Sequence, residues 1–172
     1  MQIVYEITLD DIINFNDYHF RNSKLSRKKR FIVKLIIPIW TVLVFFVLNR
    51  NDISGISLLY NIPIFLFAVG WFFFYDRLYF WRLRKNVARM LLEKESKGMI
   101  GTHKITLTDD VLTFETSHSS SNFKLGSLTD VVETKEYLFL YVTSLSALIV
   151  PLGAFQNLEK EEFLKRIRSF VA

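Results

Sequence analysis

The 172-residue sequence predicts an α+β membrane protein, a hairpin of two transmembrane helices joined to an antiparallel sheet that a C-terminal helix caps. Three observations carry this expectation. Two apolar tracts, residues 31–48 and 56–75, are separated only by "NRNDISG". Lysine and arginine crowd the outer ends of both tracts. Beyond Gly98 the hydrophobic period changes from that of a helix to the alternation of strands.

The tracts come first because they dominate the composition. Half of the residues, 51%, are hydrophobic and 17 are Phe, which is rich for a soluble domain of this length. "FIVKLIIPIWTVLVFFVL" (31–48) holds one charge, Lys34, and as a helix rises about 27 Å, close to the thickness of a hydrocarbon core. "ISLLYNIPIFLFAVGWFFFY" (56–75) holds none. Both are apolar on every face, so a remainder of this size could hardly bury them as core helices. Pro38 and Pro63 are tolerated in bilayer helices, where they predict kinks. Lys34 lies about a turn inside the first tract and is expected to return its ammonium to the headgroups.

Charge placement sets the orientation. From Arg21 to Lys34 there are seven Lys or Arg and no acid, and from Arg77 to Arg89 five more and no acid. The loop between the tracts carries one, Arg50, so the positive-inside rule predicts that both termini are cytoplasmic. The run Arg27, Lys28, Lys29 and Arg30 reads as a stop at the inner leaflet, with Arg82, Arg84 and Lys85 after the second span. Trp71 and Trp81 are rings of the kind that populate the membrane interface, as are Tyr75 and Tyr79; Trp40 lies deep for that role. The same mapping disfavours nucleic acid as a partner. The net charge of +5 comes from these two clusters, whereas residues 98–172 hold seven basic against nine acidic residues.

The second helix is expected to continue to Lys97, since "DRLYFWRLRKNVARMLLEKESK" contains no Gly or Pro, with Leu83, Val87, Met90 and Leu91 as its packing stripe. Residues 102–108 and 111–117 alternate about Asp109-Asp110 as a hairpin, and four further β-rich runs follow. The last helix has Asn157 as N-cap, acids at 159, 161 and 162, basics at 165, 166 and 168, and an apolar stripe of Phe163, Leu164, Ile167, Phe170 and Val171. Six short strands and one closing helix is the element order of pleckstrin-homology-like domains. "QIVYEIT" (2–8) is a further strand able to join that sheet, and Thr8 with Asp11 forms a capping box for a helix over 9–20. The organisation expected is therefore a cytoplasmic strand and helix (1–30), the transmembrane hairpin (31–75), a helical extension (76–97) and the pleckstrin-homology-like domain (98–172).

"YEITLDDIINFNDYHFRNS" before the first span, "GTHKITLTDDVLTFET" after the second and "VVETKEYLFLYVTSLSALIVPLGAF" near the end make the chain resemble the YcxB-like family of bacterial membrane proteins. The resemblance spans nearly the whole chain. Its most specific piece is Pro151 with Phe155, where members commonly carry a Pro-Lys pair, a small residue and Phe; here Leu152 stands in place of the Lys. The resemblance implies two membrane helices, a cytoplasmic C-terminal domain and residence in the bacterial cytoplasmic (inner) membrane.

No catalytic constellation emerges. There is no cysteine, so thiol nucleophiles and thiolate metal sites are excluded. His19, His103 and His118 have no ligand at metal spacing, and Asp10-Asp11 and Asp109-Asp110 fall where a helix start and a turn favour acids. There is no GxGxxG, Walker or GxSxG motif. The expectation is a non-enzymatic module without metal or cofactor, held at the bilayer, whose sheet domain holds a protein, peptide or lipid headgroup close to the inner leaflet, a protein partner first, with further copies in a homo-oligomer as an added option. The alternative is an immunity protein that protects the cell from a membrane-active or secreted toxin. A transporter or channel would need oligomers, because two helices cannot enclose a pore.

Overall fold

A computed structural model describes residues 1–50, 55–92, 98–155 and 159–170. The expectations for Asn157 as a cap, for Val171, for the middle of the connecting loop and for the last residues of the helical extension lie outside them. The elements are β1 (Gln2–Ile7), α1 (Leu9–Asn22), α2 (Lys24–Leu48), α3 (Gly55–Leu92), β2 (Gly101–Leu107), β3 (Val111–Thr116), β4 (Ser120–Lys124), β5 (Asp130–Glu133), β6 (Tyr137–Tyr141), β7 (Ala147–Pro151) and α4 (Glu159–Arg168). The chain divides into two compact units, residues 1–16 with 86–172 and residues 17–85.

The first unit holds two antiparallel sheets, of order β1-β2-β3-β4 and β5-β6-β7, an arrangement consistent with the pleckstrin-homology-like class. A single bent sheet was the expectation. The division falls between β4 and β5, where the chain leaves extended geometry for a 3-10 turn at Leu125–Ser127. Leu125 and Leu128 turn into the core there, so burial of the connection favours the break over continuous pairing.

Period-two patterning explains the first sheet. Along β1, Ile3, Tyr5 and Ile7 are buried while Gln2, Val4 and Glu6 face out, and β2 repeats this with His103, Ile105 and Leu107. β1 pairs antiparallel with β2 in the register Ile3↔Ile105 and Tyr5↔His103, which places all six inward side chains on one face. Gly101, opposite Ile7 where β2 begins, has φ +122°, a conformation that side chains with a Cβ rarely adopt.

β6 behaves differently, being buried on both faces. Leu138 and Leu140 enter the core, while Phe139 meets Phe15 of α1 at 5.2 Å between ring centroids. "YLFLY" therefore reads as a continuous apolar run because helix covers one side and core the other. The core joins Ile105, Leu107, Leu112, Leu125, Leu138, Leu140 and Val150 to Phe163, Leu164 and Ile167 of α4. Each such side chain contributes about 1.5–3 kcal/mol by leaving water.

Two residues of the expected stripes lie elsewhere. Phe170 is 40% exposed because α4 ends at Arg168, so helical periodicity no longer governs it. Met90 is 60% exposed although Val87 and Leu91 are buried, since successive residues turn by about 100° and Met90 falls beside their stripe.

The second unit consists mainly of the α2–α3 hairpin. α2 begins at Lys24, capped by Ser23, whose hydroxyl accepts from the Ser26 N–H at 3.4 Å. Arg27 to Arg30 are thus residues of the helix and not a flank before it. Both prolines lie inside continuous helices. Phe45 meets Phe65 at 5.4 Å and Lys34 meets Asp76, pairs that mirror each other about the connecting loop and define one antiparallel register. The helices are long and apolar enough to cross a membrane, and only 6% of the most apolar window of each is buried.

Candidate functional site

Four consecutive basic residues on a helix sweep most of the way around its axis, so they cannot all face the same surroundings. Arg27, Lys28 and Lys29 are exposed, whereas Arg30 is half-buried. Arg30 donates from Nη1 to the Phe20 carbonyl at 2.6 Å and lies over the Phe80 ring at 4.7 Å and the Tyr79 ring at 5.4 Å. One turn further along the same face is Lys34. Its Nζ is 2.8 Å from Asp76 Oδ2 and 4.3 Å from the Phe72 ring centre. Lys34 thus reaches toward the half-exposed carboxylate that directly follows the second apolar tract. Asp76, the sole acid in α3, neutralises it across the hairpin, and a charge on an apolar helix is least costly when paired.

The basic residues after the second tract divide in the same way. Arg82 and Lys85 are exposed, with Lys85 Nζ 5.3 Å from the ring centre of exposed Trp81. Arg84 is engaged by an ion pair with Asp17, to whose Oδ2 its Nε donates at 2.7 Å. Arg21 lies 3.8 Å over the Phe80 ring. Trp71 is half-buried, its ring 5.2 Å from that of Tyr75, and its indole N–H is buried without a hydrogen-bond partner. A belt of seven cations therefore becomes, in the folded hairpin, an outward set of Arg27, Lys28, Lys29, Arg82 and Lys85 and an engaged set of Arg30 and Arg84.

Sequence reasoning missed Asp17, Asp76 and Phe80. A signal for Asp76 was present in its being the one acid among the residues of a 38-residue helix. Asp17 and Phe80 had none, because the former resembles any acid of an amphipathic helix and the latter one of many Phe.

In the sheet unit, Thr8 and Asp11 form a reciprocal cap: the Thr8 N–H and hydroxyl each donate to Asp11 Oδ2 at 2.7 Å, and the Asp11 N–H donates to Thr8 Oγ1 at 3.3 Å. The other carboxylate oxygen accepts from Tyr137 on β6 at 2.7 Å, and Tyr137 accepts in turn from Asn14 at 3.2 Å. Burial raises the Asp11 carboxyl, but the bonds from Tyr137 and Thr8 outweigh it and hold the group below the usual carboxylate range. Burial, then the bond to Asp11, raises the Tyr137 phenol. Thr8 before α1, Asp11 and Asn14 of α1 and Tyr137 of β6 thus form a fixing point and not an acid/base dyad, since the carboxylate is held ionised and the phenol protonated.

Pro151 and Phe155 flank the 3-10 turn Leu152–Ala154 after β7. Pro151 is paired with Tyr137, Phe155 meets Phe163 of α4 at 5.2 Å, and Leu152 packs against the core, donating its N–H to the Glu136 carbonyl at 2.8 Å. A lysine in place of Leu152 would have to turn outward. In this chain Phe155 packs against α4 while Pro151 stays in the ladder of β7 with β6.

Among the described residues no three or more His, Asp or Glu are grouped to hold a metal ion. His103 is buried, with its ring edge-on to Phe114 at 5.2 Å and to Tyr5 at 5.9 Å. Burial pushes its imidazole below the usual range, a bond to the Gly98 backbone opposing that.

Residues 107–167, from the end of β2 through α4, match the family model described as YcxB-like protein. No curated protein and no solved structure matches the chain.

Proposed function

Starting from a chain whose residues 107–167 are YcxB-like, we propose that it is a non-enzymatic module anchored in the bacterial cytoplasmic membrane, which presents a pleckstrin-homology-like domain on the cytoplasmic side to a protein partner. The observation that carries this reading is the exposed apolar surface of α2 and α3. Phe31, Ile39, Trp40, Phe46, Val47, Phe67, Phe73 and Phe74 each stand more than half exposed, and a water-soluble protein does not tolerate a contiguous surface of that kind. In lipid it is the expected outer face of a hairpin.

Within this reading residues near 31–75 cross the bilayer, residues 1–30 and 76–97 lie at its inner face, and 98–172 carry the partner surface. Arg27, Lys28, Lys29, Arg82 and Lys85 meet anionic headgroups, each gaining about 1 kcal/mol near the surface. Trp71 and Trp81 mark the interface, Arg30 and Arg84 brace the hairpin, and Pro151 and Phe155 set the angle of α4. Both termini are cytoplasmic.

The test is extraction followed by topology. The chain is expected to resist alkaline carbonate, to require detergent for release, and to report cytoplasmic reporters at residues 1 and 172 with an external tag between residues 49 and 55. Release by carbonate alone, or a protein that stays monomeric in buffer without amphiphile, overturns the proposal. Pull-down from gentle detergent then identifies the partner.

A further inference from the structure

The unit formed by residues 1–16 and 86–172 holds a partly open cavity of about 500 Å³. Its wall is mostly apolar, drawn from several elements: Phe15 of α1, Leu91 of α3, Phe114 of β3 and Leu148 of β7. Among the described residues, no side chain lining it carries a formal charge apart from the titratable ring of His103. Its size is within the range of small-molecule sites, about 300–1,000 Å³, which pair an apolar wall with a few placed polar groups. Leu145, 72% exposed, stands at the rim.

His103 is the polar group that the fold leaves incomplete. The residue is 7% exposed, lines the cavity, and its Nε2 makes no hydrogen bond. Its bond to the Gly98 backbone favours the protonated ring, so it is donated to the carbonyl; with Nε2 free, Nδ1 is the donor. Nε2 of the neutral ring is then a buried acceptor, and an unmet buried acceptor favours any occupant that brings a donor. A headgroup with a net charge would leave water without a counter-charge among the described lining residues, which is costly.

We propose that this cavity binds an uncharged lipid with a hydroxyl head, of the monoacylglycerol class, whose O–H donates to His103 Nε2 while the acyl chain lies against Leu91, Phe114 and Leu148. The site is complete within the one unit and does not rest on the membrane anchoring proposed above.

The experiment uses the full chain in phosphatidylcholine nanodiscs and a monoacylglycerol carrying a diazirine in its acyl chain, with crosslinked peptides mapped by mass spectrometry. Saturable labelling of residues 87–91 and 145–149 is expected, displaced by unlabelled monoacylglycerol and not by oleate, whose carboxylate is charged. Ala147→Phe, which fills the cavity wall, is expected to abolish that labelling, and His103→Leu to weaken apparent affinity about tenfold, the order of one lost hydrogen bond. Labelling of α2 by the same probe is read separately as a report on the membrane anchoring, and its presence or absence does not bear on saturable labelling at 87–91 and 145–149. If Ala147→Phe does not fold, His103→Leu decides alone. Non-saturable labelling at 145–149, equal displacement by oleate, or labelling unaffected by His103→Leu overturns the proposal.

Discussion

Tyr137→Phe removes one oxygen and tests whether the bridge between α1 and β6 holds the sheet unit together. The hydroxyl donates to the Asp11 carboxylate at 2.7 Å and accepts from Asn14 at 3.2 Å. A bond to a charged partner contributes about 1.5–3 kcal/mol, and solvent screening at this half-buried site brings the expectation to about 1–2 kcal/mol. The penalty must depend on pH in a definite direction. Asp11 is depressed in the folded chain, so its contribution is fully present above the unfolded carboxyl value and fades as pH falls through the lower folded value. Tyr137→Phe is therefore expected to be costly at pH 7 and nearly silent once the carboxyl is protonated. Asp11→Asn should reproduce the flattening, and the double variant should cost less than the two singles combined. The assay is amide hydrogen exchange of α1 and β6 in the full-length chain in detergent, with pulse proteolysis for the global value. A loss at pH 7 below about 0.5 kcal/mol, or additivity of the two variants, refutes the reasoning, since a surface substitution without a partner falls in that range.

Three further outcomes are expected from single sites. Phe163→Ala, at a fully buried position touching Phe155, should cost about 3–5 kcal/mol by pulse proteolysis and expose the sheet unit to protease. Gly101→Ala meets no atom within 4 Å but forces a Cβ onto φ +122°, so a loss of about 1–3 kcal/mol is expected from strain alone, visible as faster exchange at Ile7 and Gly101. Lys34→Leu or Asp76→Leu alone should loosen the hairpin in detergent melts by about 1 kcal/mol or more, whereas Lys34→Leu with Asp76→Leu should recover most of the loss, because an unpaired charge is worse than none.

Much of the fold was legible because it rests on local periods. The alternation in β1, β2 and β3, the Asp109-Asp110 turn, the Thr8–Asp11 cap and the acid-to-base gradient of α4 are short-range signals with direct physical causes. What was not legible depends on long-range choices. Division into two sheets is decided by burial of Leu125 and Leu128, whose environment no neighbouring residue announces. The exposure of Phe170 turns on where α4 stops. The cavity at His103 is assembled from six elements, and a histidine in an alternating strand looks the same whether or not its ring is satisfied.

The hairpin shows why net charge was a poor guide to the site. Counting placed Arg30, Lys34 and Arg84 in one basic girdle with their neighbours, but helical rotation turns each toward a partner: Arg30 to the Phe20 carbonyl and two rings, Lys34 to Asp76, Arg84 to Asp17. An engaged cation has much of its field met within the hairpin, so it steers headgroups or partners less than an exposed one. In the proposed membrane-anchored hairpin, orientation by the positive-inside rule then rests mainly on the exposed Lys24, Arg27, Lys28, Lys29, Arg77, Arg82, Lys85 and Arg89. These are the positions at which neutralisation should change topology without changing the fold of the hairpin, while Arg30, Lys34 and Arg84 should do the reverse.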